Sequence, residues 1–141
     1  MKTILPDLEL EFELQELYIL SKHWIQDISF IDDEIRFFKT VFYKFHDPAL
    51  VKEPNSVASK LNQKIAWQEE DIINLKARIQ DYLNFLEPFI SDQRKLIDLG
   101  LIEKFNALAA EIKNLFESIK QTKSELFTSS EQFMASERTI Q

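Results

Sequence analysis

Residues 28–45 read ISFIDDEIRFFKTVFYKF. Within them Ile28, Ile31, Ile35, Phe38, Phe42 and Phe45 recur at alternating intervals of three and four. Such intervals mark the seam of an α-helix, because residues three and four apart share one side of a 3.6-residue turn, whereas a strand alternates every second residue. Extended backwards, the same spacing collects Leu10, Leu14, Leu17, Ser21 and Trp24, so ten of the eleven seam positions are apolar. The spacing predicts one helix over about 7–46. Leu5-Pro6-Asp7 suits its first turn, where the missing N–H of proline costs no hydrogen bond. Pro48 ends it, because the residue before proline is driven out of the helical region.

Working outward, Pro54-Asn55-Ser56 is a helix-start signal with Asn55 or Ser56 as N-cap. A second seam follows: Ala58, Leu61, Ile65, Gln68, Ile72, Leu75, Ile79, Tyr82, Leu86 and Phe89. Gln68 is its clearly polar member, and Pro88 is expected to end this helix near Glu87. Ser91-Asp92 is the next N-cap candidate. The third seam runs Leu101, Phe105, Leu108, Ile112, Leu115, Ile119, Thr122, Leu126, Ser129, Phe133, Ser136 and Ile140, with Ile102, Ala109 and Phe116 beside it. Gly100 is expected inside this third helix. From Thr122 every second seam position is polar, so packing should weaken, and residues 128–141 are expected to fray. Helices over about 7–46, 55–88 and 91–136 joined by short loops make an all-α, up-down-up antiparallel bundle with coiled-coil-like packing, in one domain over 1–141. In that register Ser21 and Tyr82 should face one another, the small residue leaving room for the large one and the two hydroxyls coming within reach of a hydrogen bond.

Composition agrees. The chain of 141 residues has one Gly and four Pro, too few turn residues for a many-hairpin sheet. It carries twelve Phe and no Cys, so a disulfide scaffold, a thiolate metal site and a Cys nucleophile are all excluded. A net charge of −7 disfavours nucleic acid and anionic membrane as partners. Neither a leader-like N-terminus nor an apolar run of membrane-spanning length is present, which sets the expectation of a cytoplasmic protein.

The chemistry-bearing residues are sparse. His23 on a helical bundle is similar in outline to the histidine phosphotransfer domains, but that family places a glycine shortly after its histidine, and Trp24-Ile25-Gln26-Asp27 stand here. An ordinary surface histidine is the expectation. His46, at a helix C-terminus, is accounted for by the helix dipole. The acidic triplets Asp32-Asp33-Glu34 and Glu69-Glu70-Asp71 fall level with one another when the first two helices run antiparallel. Bundle di-metal sites use inward Glu-x-x-His pairs, which are absent, so these acids are expected to face water. Lys113, Lys120 and Lys123 share one side of the third helix with Glu117 among them, a solvated face rather than a nucleic-acid patch. No Ser-His-acid convergence is evident, a Gly-rich phosphate loop is impossible with one Gly, and no cofactor is expected.

The surplus is apolar. The first helix carries Phe12, Ile19, Phe30 and Phe37 outside its seam, with Phe30 and Phe37 seven apart and therefore aligned. These four are the candidate interaction face, for a protein partner or for self-association; a wide intramolecular face is the competing expectation. The resulting expectation is a non-enzymatic scaffold, adaptor or regulatory protein, with self-association as one use of that face. The alternative is a small-ligand or metal-binding bundle with carboxylate ligands.

Overall fold

A computed structural model describes the backbone of residues 4–46, 52–91 and 99–140, and the side chains of 13–46, 52–91 and 99–135. Three α-helices account for nearly all of it: α1 (Ile4–Phe45), α2 (Val57–Ser91) and α3 (Leu99–Ile140). No strand occurs among the described residues. The chain divides into two compact units, one from Met1–Ser29 with Asn74–Lys113, the other from Phe30–Ile73 with Asn114–Gln141. Each unit takes a segment from all three helices.

In the first unit Trp24 of α1 stacks on Phe105 of α3, with ring centroids 4.7 Å apart. Tyr82 of α2 tilts against the same Phe105 at 6.3 Å. Arg78 and Tyr82 of α2 bond to Glu111 and Leu101 of α3, rising against falling numbers, so α2 and α3 are antiparallel. In the second unit Glu34 and His46 of α1 meet Lys123 and Ser129 of α3, rising with rising numbers, so α1 and α3 are parallel. Lys39 of α1 holds Glu69 of α2 at 3.0 Å. Gln68 and Lys64 of α2 reach Thr122 and Glu125 of α3 in antiparallel sense. The chain is an all-α up-down-up three-helix bundle.

The seams form the core. From Leu14 to Phe42, and from Ala58 to Leu86, every seam residue is buried except Leu17 and Trp24, which are half-buried. In α3 the seam from Leu101 to Leu126 is buried apart from half-buried Phe105. Apolar residues at helical period therefore supply the burial that drives folding. Leu83 is also buried, beside the seam. Of the second stripe on α3, Ala109 and Phe116 are half-buried and Ile102 is exposed.

The helix ends differ from the sequence reading in three places. α2 runs through Pro88 to Ser91 instead of stopping at Glu87. Pro88 forgoes one N–H bond and crowds the turn before it, yet helical geometry persists to Ser91. Ser91 therefore ends α2, its Oγ donating to the Glu87 carbonyl at 3.0 Å, and does not cap α3; Asp92 lies outside the described residues. Gly100 sits inside α3, as expected, without a positive φ. Past Thr122, where weaker packing is expected, α3 continues to Ile140 with Thr122, Leu126 and Ser130 buried. The start of α2 follows the cap signal: Ser56 Oγ accepts the Ser59 N–H at 3.0 Å, satisfying a first-turn donor that has no partner within the helix.

Candidate functional site

In the second unit the seam of α1 is buried while its outer strip is not. Phe30 and Phe37 are 64% and 54% exposed, yet Phe38 and Phe42, one position and five positions further on from Phe37, are buried. Phe30, Glu34, Phe37 and Val41 follow intervals of four and three and lie on one side of the helix. Glu34 reaches Lys123 of α3 at 3.9 Å, so the strip borders α3 along its Glu34 edge while Phe30 and Phe37 stay exposed. Lys123 Nζ also lies 5.9 Å from the Phe127 ring, which brings a third partly exposed Phe to the border of the strip. On the opposite flank of the strip, Arg36 holds Asp32 at 3.1 Å, one turn away on the same helix, and keeps 71% of its side chain exposed. Asp33, Thr40 and Lys44 are exposed. The face is thus aromatic, with charges of both signs around it.

Ile19 belongs to the other unit, where it is 55% exposed. The Phe12 side chain lies outside the described residues. Of the four residues predicted for one face, Phe30 and Phe37 are the two placed together.

The acidic triplets do not converge. Asp32 pairs with Arg36, Glu34 with Lys123 and Glu69 with Lys39, while Asp33, Glu70 and Asp71 are exposed. No group of three or more His, Asp or Glu side chains is placed to hold a metal ion among the described residues. His23 is exposed. Lys123 is absorbed by Glu34 and Phe127, and Lys113 and Lys120 are exposed. No helix of the described residues is long and apolar enough to cross a membrane.

Two polar clusters lie inside the second unit; the burial and pairing of Gln68 follow from its place in a helix seam, whereas His46 departs from the sequence reading. Gln68 is buried, and its Nε2 donates to Ser118 Oγ at 2.8 Å and Thr122 Oγ1 at 2.7 Å. The Thr122 hydroxyl hydrogen is committed to the Ser118 carbonyl at 3.1 Å, so its oxygen must accept, and this fixes the amide with its nitrogen towards α3. Gln68 Oε1 and Ser130 Oγ are left buried without partners among the described residues. His46 is buried rather than merely placed at a helix end. Its Nδ1 faces the Phe42 carbonyl at 3.0 Å and therefore carries the proton. Its Nε2 then accepts from Ser129 Oγ at 2.6 Å. Its ring stacks on Phe42 at 4.6 Å. A serine donating to an oriented imidazole is the geometry of a nucleophile and its base. Ser129, however, is interior to α3, where the neighbouring backbone N–H groups are spent in the helix and none is free to hold an oxyanion. The pair ties α1 to α3.

In the first unit the Ser21 and Tyr82 hydroxyls bond elsewhere and not to one another. Ser21 Oγ donates to the Leu17 carbonyl at 2.7 Å, and Tyr82 donates to the Leu101 carbonyl at 3.0 Å. Each hydroxyl takes a nearer backbone acceptor. Burial pushes the Tyr82 phenol up to about 12, so it remains a donor. The Arg78 guanidinium is held charged by its bonds to Glu111. A groove of about 400 Å³ between α2 and α3 is lined by Tyr82, Phe85 and Leu108, with Lys104 Nζ 4.2 Å above the Phe85 ring.

No protein-family model matches this chain, and no curated protein or solved structure matches it. The functional reading rests on the geometry alone.

Proposed function

We propose that this chain is a non-enzymatic helical interaction module, a scaffold, adaptor or regulatory protein, that docks a protein through the Phe30–Phe37 face of α1. One observation carries the reading: two aligned Phe are more than half exposed above a seam that is otherwise closed. Each half-exposed Phe offers roughly 100–150 Å² to a partner, and leaving such area in water forgoes roughly 25 cal/mol per Å². Nothing in the packing of α1 requires aromatic residues there, since Asp33 and Thr40 occupy equivalent outward positions. The carboxylate-ligand alternative has lost its supporting feature, because the triplets are divided among separate ion pairs.

The test is the variant Phe30→Glu/Phe37→Glu, compared with wild type as bait in the native host. Wild type is expected to retain a protein, itself or another, that the variant loses, while both melt at the same temperature. Equal retention by both overturns the reading. A variant that unfolds also overturns it, by showing that the two Phe belong to the core.

A further inference from the structure

Resting on that reading, we infer that the occupant of the Phe30–Phe37 face is a second copy of the chain, paired with it antiparallel about a two-fold axis close to Asp33. The outward positions Phe30, Asp33, Phe37, Thr40 and Lys44 are themselves spaced by three and four, so α1 carries a second, shorter seam on its exposed side. Charge decides its orientation. Along this strip of the second unit the acid comes first, at Asp33, and the bases follow, at Arg36 and Lys44. A parallel pairing sets Asp33 against the partner's Asp33 and Lys44 against the partner's Lys44, like against like throughout. An antiparallel pairing that places Phe30 on the partner's Phe37 sets Asp33 within a turn of the partner's Arg36, twice by symmetry. Arg36 can serve both its own Asp32 and the partner's Asp33, because its guanidinium presents two edges and the side chain is 71% exposed. That contact offsets the approach of the two Asp33 side chains near the axis. Glu34 does not add a further uncompensated charge there, since Lys123 holds it.

The area sets the strength. Two half-exposed Phe bring roughly 200–300 Å² per copy, a fraction of the roughly 800 Å² per partner of a tight complex, so the dimer is weak, with a dissociation constant on the order of micromolar or higher.

Sedimentation velocity across the micromolar range is expected to show a concentration-dependent dimer. Asp33→Lys and Arg36→Glu should each weaken it about tenfold or more by setting like charges together, and the double reversal should restore it. The chain has no cysteine, so single cysteines report register without background. Asp33→Cys should cross-link to its own copy, whereas Thr40→Cys, about 20 Å from its counterpart in the antiparallel arrangement, should not. A wild type that stays monomeric throughout overturns the second copy as occupant and leaves the docking face intact. A dimer that Phe30→Glu/Phe37→Glu abolishes, but in which both cysteines link equally and the double reversal fails to restore, overturns the antiparallel register alone. A dimer indifferent to that variant overturns the inference and the docking face together.

Discussion

The first unit joins its helices through ring contacts, whereas the second, which buries Phe38 and Phe42, also joins its helices through buried polar groups. Trp24, Phe105 and Tyr82 form a run of aromatic contacts in the first unit, and its buried polar side chain, Ser21, bonds back to its own helix. The second unit buries His46, Gln68, Thr122 and Ser130. Three of these connect different helices through His46–Ser129 and Gln68–Thr122. Rings contribute area and little directional preference. Bonded polar groups contribute little net energy, because each exchanges water for a protein partner, but they penalise any register that leaves them unpaired. Truncating a ring in the first unit should therefore loosen contacts between its helices directly, and orphaning a polar partner should be felt mainly in the second.

The largest effect should come from Tyr82→Ala, which removes the ring that touches Phe105 and the hydroxyl bonded to Leu101. It is expected to cost about 3–5 kcal/mol by denaturant unfolding, and Tyr82→Phe only about 1 kcal/mol. If the two cost the same, the ring contributes no packing and the contrast between the units collapses. Next, Ser129→Ala leaves the His46 Nε2 lone pair buried without its donor, a loss of about 1–3 kcal/mol. A change within error would show that the His46–Ser129 contact does not hold α1 to α3. The smallest effect is the sharpest. Gln68→Leu removes an amide whose Oε1 is already unpartnered, while Thr122 keeps its bond to the Ser118 carbonyl. Stability should hold or rise by up to about 1 kcal/mol. A strong loss would mean that the amide does more than set register.

The periodicity of the chain was enough to read the three helices, their sense and nearly all of the core. Burial at intervals of three and four is a one-helix property, visible without knowing the neighbours. What escaped depends on the neighbours. Ser130 lies seven residues beyond Lys123, on the flank of α3 that meets α1 at Glu34, and is buried by that approach rather than by its own apolarity. His46 falls just after the last residue of α1, four beyond Phe42 and so still on the buried side, but nothing local to it reveals Ser129, 83 residues away. A serine at a seam position of α3 was the available signal; it was read as weakened packing when it marked a bonded partner. Pro88 was read as a stop because a proline acts on the turn before it, and only the structure shows that the helix persists to Ser91. On the face of α1, the alignment of Phe30 and Phe37 was legible from their spacing, but their exposure was not, since a wide buried face has the same period.

The threading of the helices also bears on the order of folding. The Tyr82–Leu101 contact closes 19 residues of chain, and the His46–Ser129 contact closes 83. Loop-closure entropy rises with the logarithm of length, so the longer closure costs about 1.3 kcal/mol more. Contacts between α2 and α3 across the short connection are therefore a cheaper nucleus than those between α1 and α3. Substitutions at the α2–α3 contacts of Tyr82 should slow refolding, whereas those at His46 and Ser129 should act mainly by hastening unfolding.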